Sequence, residues 1–263
     1  MKKIFYSILI FLLILLNFST VCADDVDNEG EFENTVEVTA SSVTALPKTN
    51  SRRYIVYDRI SKSMIIGKNE DVKSAMASTT KIMTTIVILE KSDLDETVTV
   101  SAKAGGTGGS RLGLKRGDKA SVKDLLYGLM LRSGNDAAVA LAEHVGGSVK
   151  EFAELMNEKA IELGLTNTHF VTPHGLDDAN HYTTALELAK LTDYAMDNET
   201  FAKIVGTKST TIYINNQPRQ INNTNELLGV LNGVVGVKTG FTNNAGRCLV
   251  TETKRNNMDI ITI

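Results

Sequence analysis

Strand-like segments stand at both ends of this sequence and helix-like segments fill its middle, an order that leaves few folds open. Tyr54-Ile55-Val56-Tyr57 and Ser63-Met64-Ile65-Ile66 flank a polar turn and predict a β-hairpin. From Ser78 onward Ile82, Thr85, Ile86 and Leu89 recur at helical spacing, which predicts a long buried helix. Further helices are expected at about Val122–Leu131, Asp136–Val145, Val149–Leu163 and Thr184–Met196. After Thr207 the pattern turns to strands: Thr210–Ile214, Val234–Phe241, Gly246–Thr253 and Met258–Ile263. The expectation is an α+β domain whose antiparallel sheet is closed by segments from both ends of the chain.

Ahead of that domain lie two segments of different character. Met1-Lys2-Lys3, the apolar run Ile4–Phe18 and the small residues Val21 and Ala23 before Asp24 have the three-part layout of a secretory leader, residues 1–23. Left uncleaved, the same stretch would act as an N-terminal anchor. Residues 24–50 carry seven acids (Asp24, Asp25, Asp27, Glu29, Glu31, Glu33, Glu37) and few large apolar groups, the composition of a disordered tether. Residues 51–263 then form the expected folded domain. With the leader gone, Cys248 is the only cysteine, so no internal disulfide is available and packing must hold the fold. A net charge of −3 gives no basic surface for nucleic acid.

Three short motifs carry the chemistry. In Ser78-Thr79-Thr80-Lys81, the serine and lysine are three residues apart, so a helix places them on one face. A serine hydroxyl needs an adjacent base, and a lysine serves once burial or a nearby cation removes its proton. Alone the motif is weak, since about one such match arises by chance in a chain of this length. Ser133-Gly134-Asn135 lies between two expected helices, where such residues also make ordinary turns. Ser133 can relay a proton to a leaving amine, and the Asn135 amide can hold a peptide backbone. Lys238-Thr239-Gly240 follows the apolar run Val234–Val237, a strand edge beside which a peptide can lie. Lys238 offers charge to a carboxylate and keeps Lys81 neutral, while Gly240 leaves room for a close approach.

Taken in order, the three motifs resemble those of the penicillin-interacting serine enzymes. Ala77–Thr84, Leu131–Ala138, Gly236–Thr242, Phe170–Asp177 and Ala245–Leu249 are similar to segments of the low-molecular-mass D-alanyl-D-alanine carboxypeptidases. The resemblance implies a β-lactamase-like fold, an antiparallel sheet flanked by helices with a helical lobe carrying Ser133. It implies Ser78, Lys81 and Ser133 as catalytic residues, and Asn135, Lys238, Thr239, Gly240 and the backbone of Phe241 as substrate-binding. It implies no cofactor, a peptidoglycan stem peptide ending in D-Ala-D-Ala as substrate, and β-lactams as covalent inhibitors.

The family usually continues with a helix on the sheet, a carboxylate-binding arginine, a second domain and a membrane-anchoring helix. Ile263 falls within an apolar strand, so the expectation is a sequence that goes on, with an apolar sheet face left uncovered here. A class A β-lactamase is the nearest alternative, but Gly134 stands where that group has Asp and no Glu-x-x-Leu-Asn segment follows. A zinc peptidase would draw on His174 and His181 with Asp177 and Asp178. A non-catalytic penicillin-binding receptor is the third alternative. His144 and His169 read as structural.

Overall fold

The computed structural model describes residues 48–263, and the leader and most of the acidic segment, residues 1–47, lie outside the described residues. Residues Thr49–Ile263 form one compact unit. The opening hairpin is β1 (Tyr54–Asp58) and β2 (Ser63–Lys68). Ile55 and Tyr57 of β1 point into the core, as alternation in a half-buried strand requires. A 3-10 turn over Ala77–Thr80 leads into helix α1 (Lys81–Lys91). The regular helix therefore starts at Lys81 rather than Ser78, and the serine sits in the tighter turn before it.

Strands β3 (Thr97–Thr99) and β4 (Lys119–Ser121) pair with each other and bracket the short helix α2 (Ala102–Gly106). The helical lobe follows as α3 (Val122–Leu131), α4 (Asn135–Gly146) and α5 (Val149–Glu162), then α6 (Ala185–Met196) and α7 (Glu199–Val205). Ser121, Ser148, Thr184 and Asn198 cap α3, α5, α6 and α7 by accepting a backbone N–H three residues on, each satisfying a donor the helix leaves orphaned. No helix among the described residues is long and apolar enough to cross a membrane.

Strands β7 (Val234–Thr242), β8 (Gly246–Arg255) and β9 (Met258–Thr262) complete the main sheet, whose order is β2-β1-β9-β8-β7. Early strand β1 pairs antiparallel with β9, Val56 opposite Thr262, so both ends of the sequence do close one sheet. Thr210–Ile214 is a strand, as expected, but stands outside the main sheet. It forms β5 (Ser209–Ile214), paired only with β6 (Gln217–Asn222) in a separate hairpin. Its inward residues Ile212 and Ile214 join the core near the helical lobe rather than the sheet.

One charged cluster knits the far side of the sheet to α6. Arg59 is 8% exposed and binds Asp193, Asp197, Glu252 and Asp259 at 2.5–3.1 Å. Lys62 and Lys254 add to it from the surface. A guanidinium buried this deeply needs such partners, because an unpaired charge there would not fold in.

Candidate active site

The three motifs converge where the 3-10 turn, the start of α4 and strand β7 meet. Ser78 lies in the turn, directly before buried Thr79, Thr80 and Lys81. Gly240 of β7 packs against that turn, and a side chain there would begin 3.0 Å from the Ser78 nitrogen and 3.2 Å from Ala77 Cβ. The close approach that demands glycine at 240 is thus made by the serine's own backbone.

Lys81 is fully buried, and its Nζ has three neighbours: Ser78 Oγ at 2.8 Å, Asn135 Oδ1 at 2.8 Å and the His174 carbonyl at 2.9 Å. Burial, reinforced by the Lys238 charge and opposed by Asp136, holds this amine well below its ordinary value. A neutral amine has two N–H groups and one lone pair. Asn135 Oδ1 and the His174 carbonyl can only accept, so they take the two N–H groups. The lone pair is left facing the Ser78 hydroxyl. That arrangement lets Lys81 accept a proton from Ser78, the chemistry a serine nucleophile needs.

Asn135, expected to hold a substrate backbone, also has contacts within the protein. Its carbonyl faces Lys81 and its Nδ2 donates to Gly108 O at 2.8 Å, so it orients the lysine and ties down the 108–114 loop. Asp136 continues that anchoring. Its carboxylate, fully buried, accepts from the backbone N–H groups of Leu112, Gly113 and Leu114 at 2.7–2.9 Å. Ser133, 7% exposed, sits between α3 and α4 with φ 57°. This left-handed residue breaks the chain between the two helices.

On β7, Lys238 is 1% exposed and donates to the Thr239 carbonyl at 2.9 Å. Burial pulls its amine down to about 7. Thr239 Oγ1 shares a hydrogen bond with Thr224 Oγ1 at 2.9 Å, and Phe241 is 64% exposed at the rim.

The histidines hold structure together. His181 Nδ1 accepts from Val171 N and its Nε2 meets Thr80 Oγ1, while His174 Nδ1 accepts from Leu176 N. Among the described residues no group of His, Cys, Asp and Glu stands as a metal would require. His144 pairs with Glu96, and His169 Nδ1 lies against Asn180 O. Cys248 lies on β8, with its thiol pushed up by burial.

Neither the His174 carbonyl nor the His181–Thr80 contact was legible in the motifs. The pointers were the segment Phe170–Asp177, notable for its likeness to a family, and the residue types of His174 and His181, which suggested metal ligands rather than these contacts.

Comparison with known proteins shows the family and the fold. Residues 38–263 match the family model for D-alanyl-D-alanine carboxypeptidases of the S11 peptidase class. The carboxypeptidase DacF of Bacillus subtilis is 38% identical over 215 residues, 80% of this chain and 55% of that protein. The enzyme of Streptomyces sp. K15 is 40% identical over 212 residues, 74% of this chain and 73% of that one. The crystal structure of the Streptomyces K15 DD-transpeptidase superimposes with a TM-score of 0.79 at 35% identity, covering 83% of this chain and 91% of that one. The carboxypeptidase DacD from Francisella tularensis gives 0.76 at 31% identity, covering 83% and 66%. The chain spans just over half the length of the longer curated relatives it matches.

Proposed function

We propose, from the premise that this chain belongs to the D-alanyl-D-alanine carboxypeptidase family, that it removes the terminal D-alanine from peptidoglycan stem peptides through a Ser78 ester. The observation that carries the reading is the buried Lys81 amine, 2.8 Å from Ser78 Oγ with its N–H groups engaged by two carbonyls. The peptide lies along β7 with its terminal carboxylate toward Lys238 and Thr239. Lys81 takes the Ser78 proton as Oγ attacks the penultimate D-Ala carbonyl. The backbone N–H groups of Ser78 and Phe241 receive the oxyanion, each such donor being worth roughly 3–4 kcal/mol. Ser133 passes a proton to the departing D-Ala amine, and water then hydrolyses the ester. No step calls for a metal or an organic cofactor. A β-lactam enters the same path and stalls as a stable ester on Ser78.

The leader-like residues 1–23 support export, and the site of action is the outer face of the cytoplasmic membrane or beyond. Mass spectrometry of the N-terminus of secreted material checks this, with Asp24 expected first.

Ser78→Ala is the direct test. It is expected to abolish both D-Ala release from a D-Ala-D-Ala peptide and covalent labelling by a fluorescent penicillin. Labelling that survives the substitution would remove Ser78 as nucleophile. Product analysis with an added amine separates hydrolysis from transfer, since water and an amine can attack the same ester.

A further inference from the structure

His181 lies 101 residues from the Ser78 turn in sequence and is 2% exposed, yet its ring reaches that turn directly. The Val171 N–H donates to Nδ1 at 2.9 Å, which places the neutral ring's own proton on Nε2. Nε2 is 2.8 Å from Thr80 Oγ1, so it donates there. With that oxygen's acceptor side engaged, the Thr80 proton goes to the Ala77 carbonyl, also 2.8 Å away. The result is a one-way chain from Val171 N–H through His181 and Thr80 to Ala77 O. Phe170 packs edge-on against the ring, 5.8 Å between centroids, and fixes its plane.

The end of this chain matters because Ala77 O and Ser78 N–H belong to one planar peptide unit. Whatever pins the carbonyl also aims the N–H on the opposite side. The unit needs pinning: Ala77 has φ 48°, a conformation that L-residues with a Cβ rarely adopt. We infer that His181 is a positioning residue for catalysis: through Thr80 it locks the Ala77–Ser78 peptide plane so that the Ser78 N–H points at the developing oxyanion. The inference deepens the proposed function and rests on Ser78 being the nucleophile. Burial, the largest influence on the ring, pulls its pKa down to about 4, so the same tautomer persists across the working pH range.

Paired substitutions test it. The Asn side chain places an oxygen where Nδ1 sits, keeps the Val171 bond and cannot reach Thr80. The Gln side chain places an N–H where Nε2 sits and keeps the Thr80 bond. His181→Asn is expected to slow penicillin acylation by about 10-fold or more without changing noncovalent affinity, a part of what losing an oxyanion donor costs. His181→Gln is expected to stay within about 3-fold of the wild type. Thr80→Val and Thr80→Ser give the same contrast from the other side of the bond, should a His181 variant fail to fold. The Ser78 amide resonance should shift in His181→Asn and Thr80→Val and remain in place in His181→Gln and Thr80→Ser. An unmoved Ser78 amide with wild-type acylation in the disrupting pair overturns the inference. So does equal impairment of all four variants in proportion to their thermal midpoints. A wild-type chain that no penicillin labels defeats the proposed function instead, and the amide resonance still decides the role of His181.

Discussion

Gly175 and Ala77 meet backbone to backbone: a Cβ added at 175 would stand 1.9 Å from the Ala77 carbonyl oxygen and 2.5 Å from Thr80 Oγ1. Gly175 also has φ 84°, so glycine is required twice over, by conformation and by contact. The contact joins the loop after Pro173 to the turn that carries Ser78, and the His174 carbonyl on Lys81 comes from the same loop.

Gly175→Ala is therefore expected to cost about 1–3 kcal/mol from backbone conformation alone, with the collision added to it. Acylation should fall further than stability does, because the displaced atoms adjoin Ser78 and Lys81. Urea unfolding beside penicillin labelling measures both, and a variant with wild-type values in each would contradict the packing described.

Lys81 works as a base only when neutral. Its depressed pKa means the free-amine form already prevails at pH values where an exposed lysine is fully charged. The acylation rate should fall on acidification and reach its plateau well below pH 10.5, the ordinary lysine value. Lys81→Arg, which stays cationic, should lose several orders of magnitude in acylation. A rate that climbs steadily up to the ordinary lysine value would show that the amine is charged at neutrality.

Lys238 gives a different pH signature. Burial lowers its amine to about 7, and a bound carboxylate favours the charged form, so binding draws in a proton above that value. KM for a carboxylate-terminated peptide should rise as pH increases past 7, approaching about tenfold per unit. Lys238→Gln should raise KM and flatten that slope. Steady-state kinetics across the range decides it, and a pH-independent KM in the wild type would rule the assignment out.

Buried Glu252 predicts an unusual stability profile. Glu252 is raised from 4.5 to about 7, by burial first and then by its contact with Asp259, against the pull of Arg59 and Lys254. Glu252 Oε2 is buried without a hydrogen-bond partner, a poor place for a charged carboxylate oxygen. Asp193, Asp197 and Lys62 complete the charged groups around Arg59. Between pH 4.5 and 7 the folded chain holds a proton that the unfolded chain has released. This contribution is whole below 4.5 and is lost as pH rises through 7, while His174 and His181, lowered to about 3 and 4, add stability as pH rises toward 6.5, so the Glu252 share is read as the difference between wild type and Glu252→Gln. The thermal midpoint of wild type relative to Glu252→Gln should fall between pH 4.5 and 7, and a difference that stays flat or rises there would refute the raised Glu252 carboxyl.

Much of the site was readable before any fold was known, because covalent spacing already decides it. Ser78 and Lys81 at i and i+3 meet in any helical turn, and Ser133-Gly134-Asn135 sits where one helix must stop and another start. The helices at Val122–Leu131 and Val149–Glu162 follow from apolar period and Ser caps that are local properties. Tertiary structure alone decided what those residues experience. The lowered proton affinity of Lys81 arises from burial and from Lys238 157 residues away, and its orientation from a carbonyl that any residue at 174 would supply. Asn135 turning to Lys81, the pairing of β5 with β6 outside the sheet, and His181 reaching Thr80 belong to the same class. Backbone carbonyls and planes are common to every residue type, so a contact made through them leaves no mark in the sequence until the chain has folded.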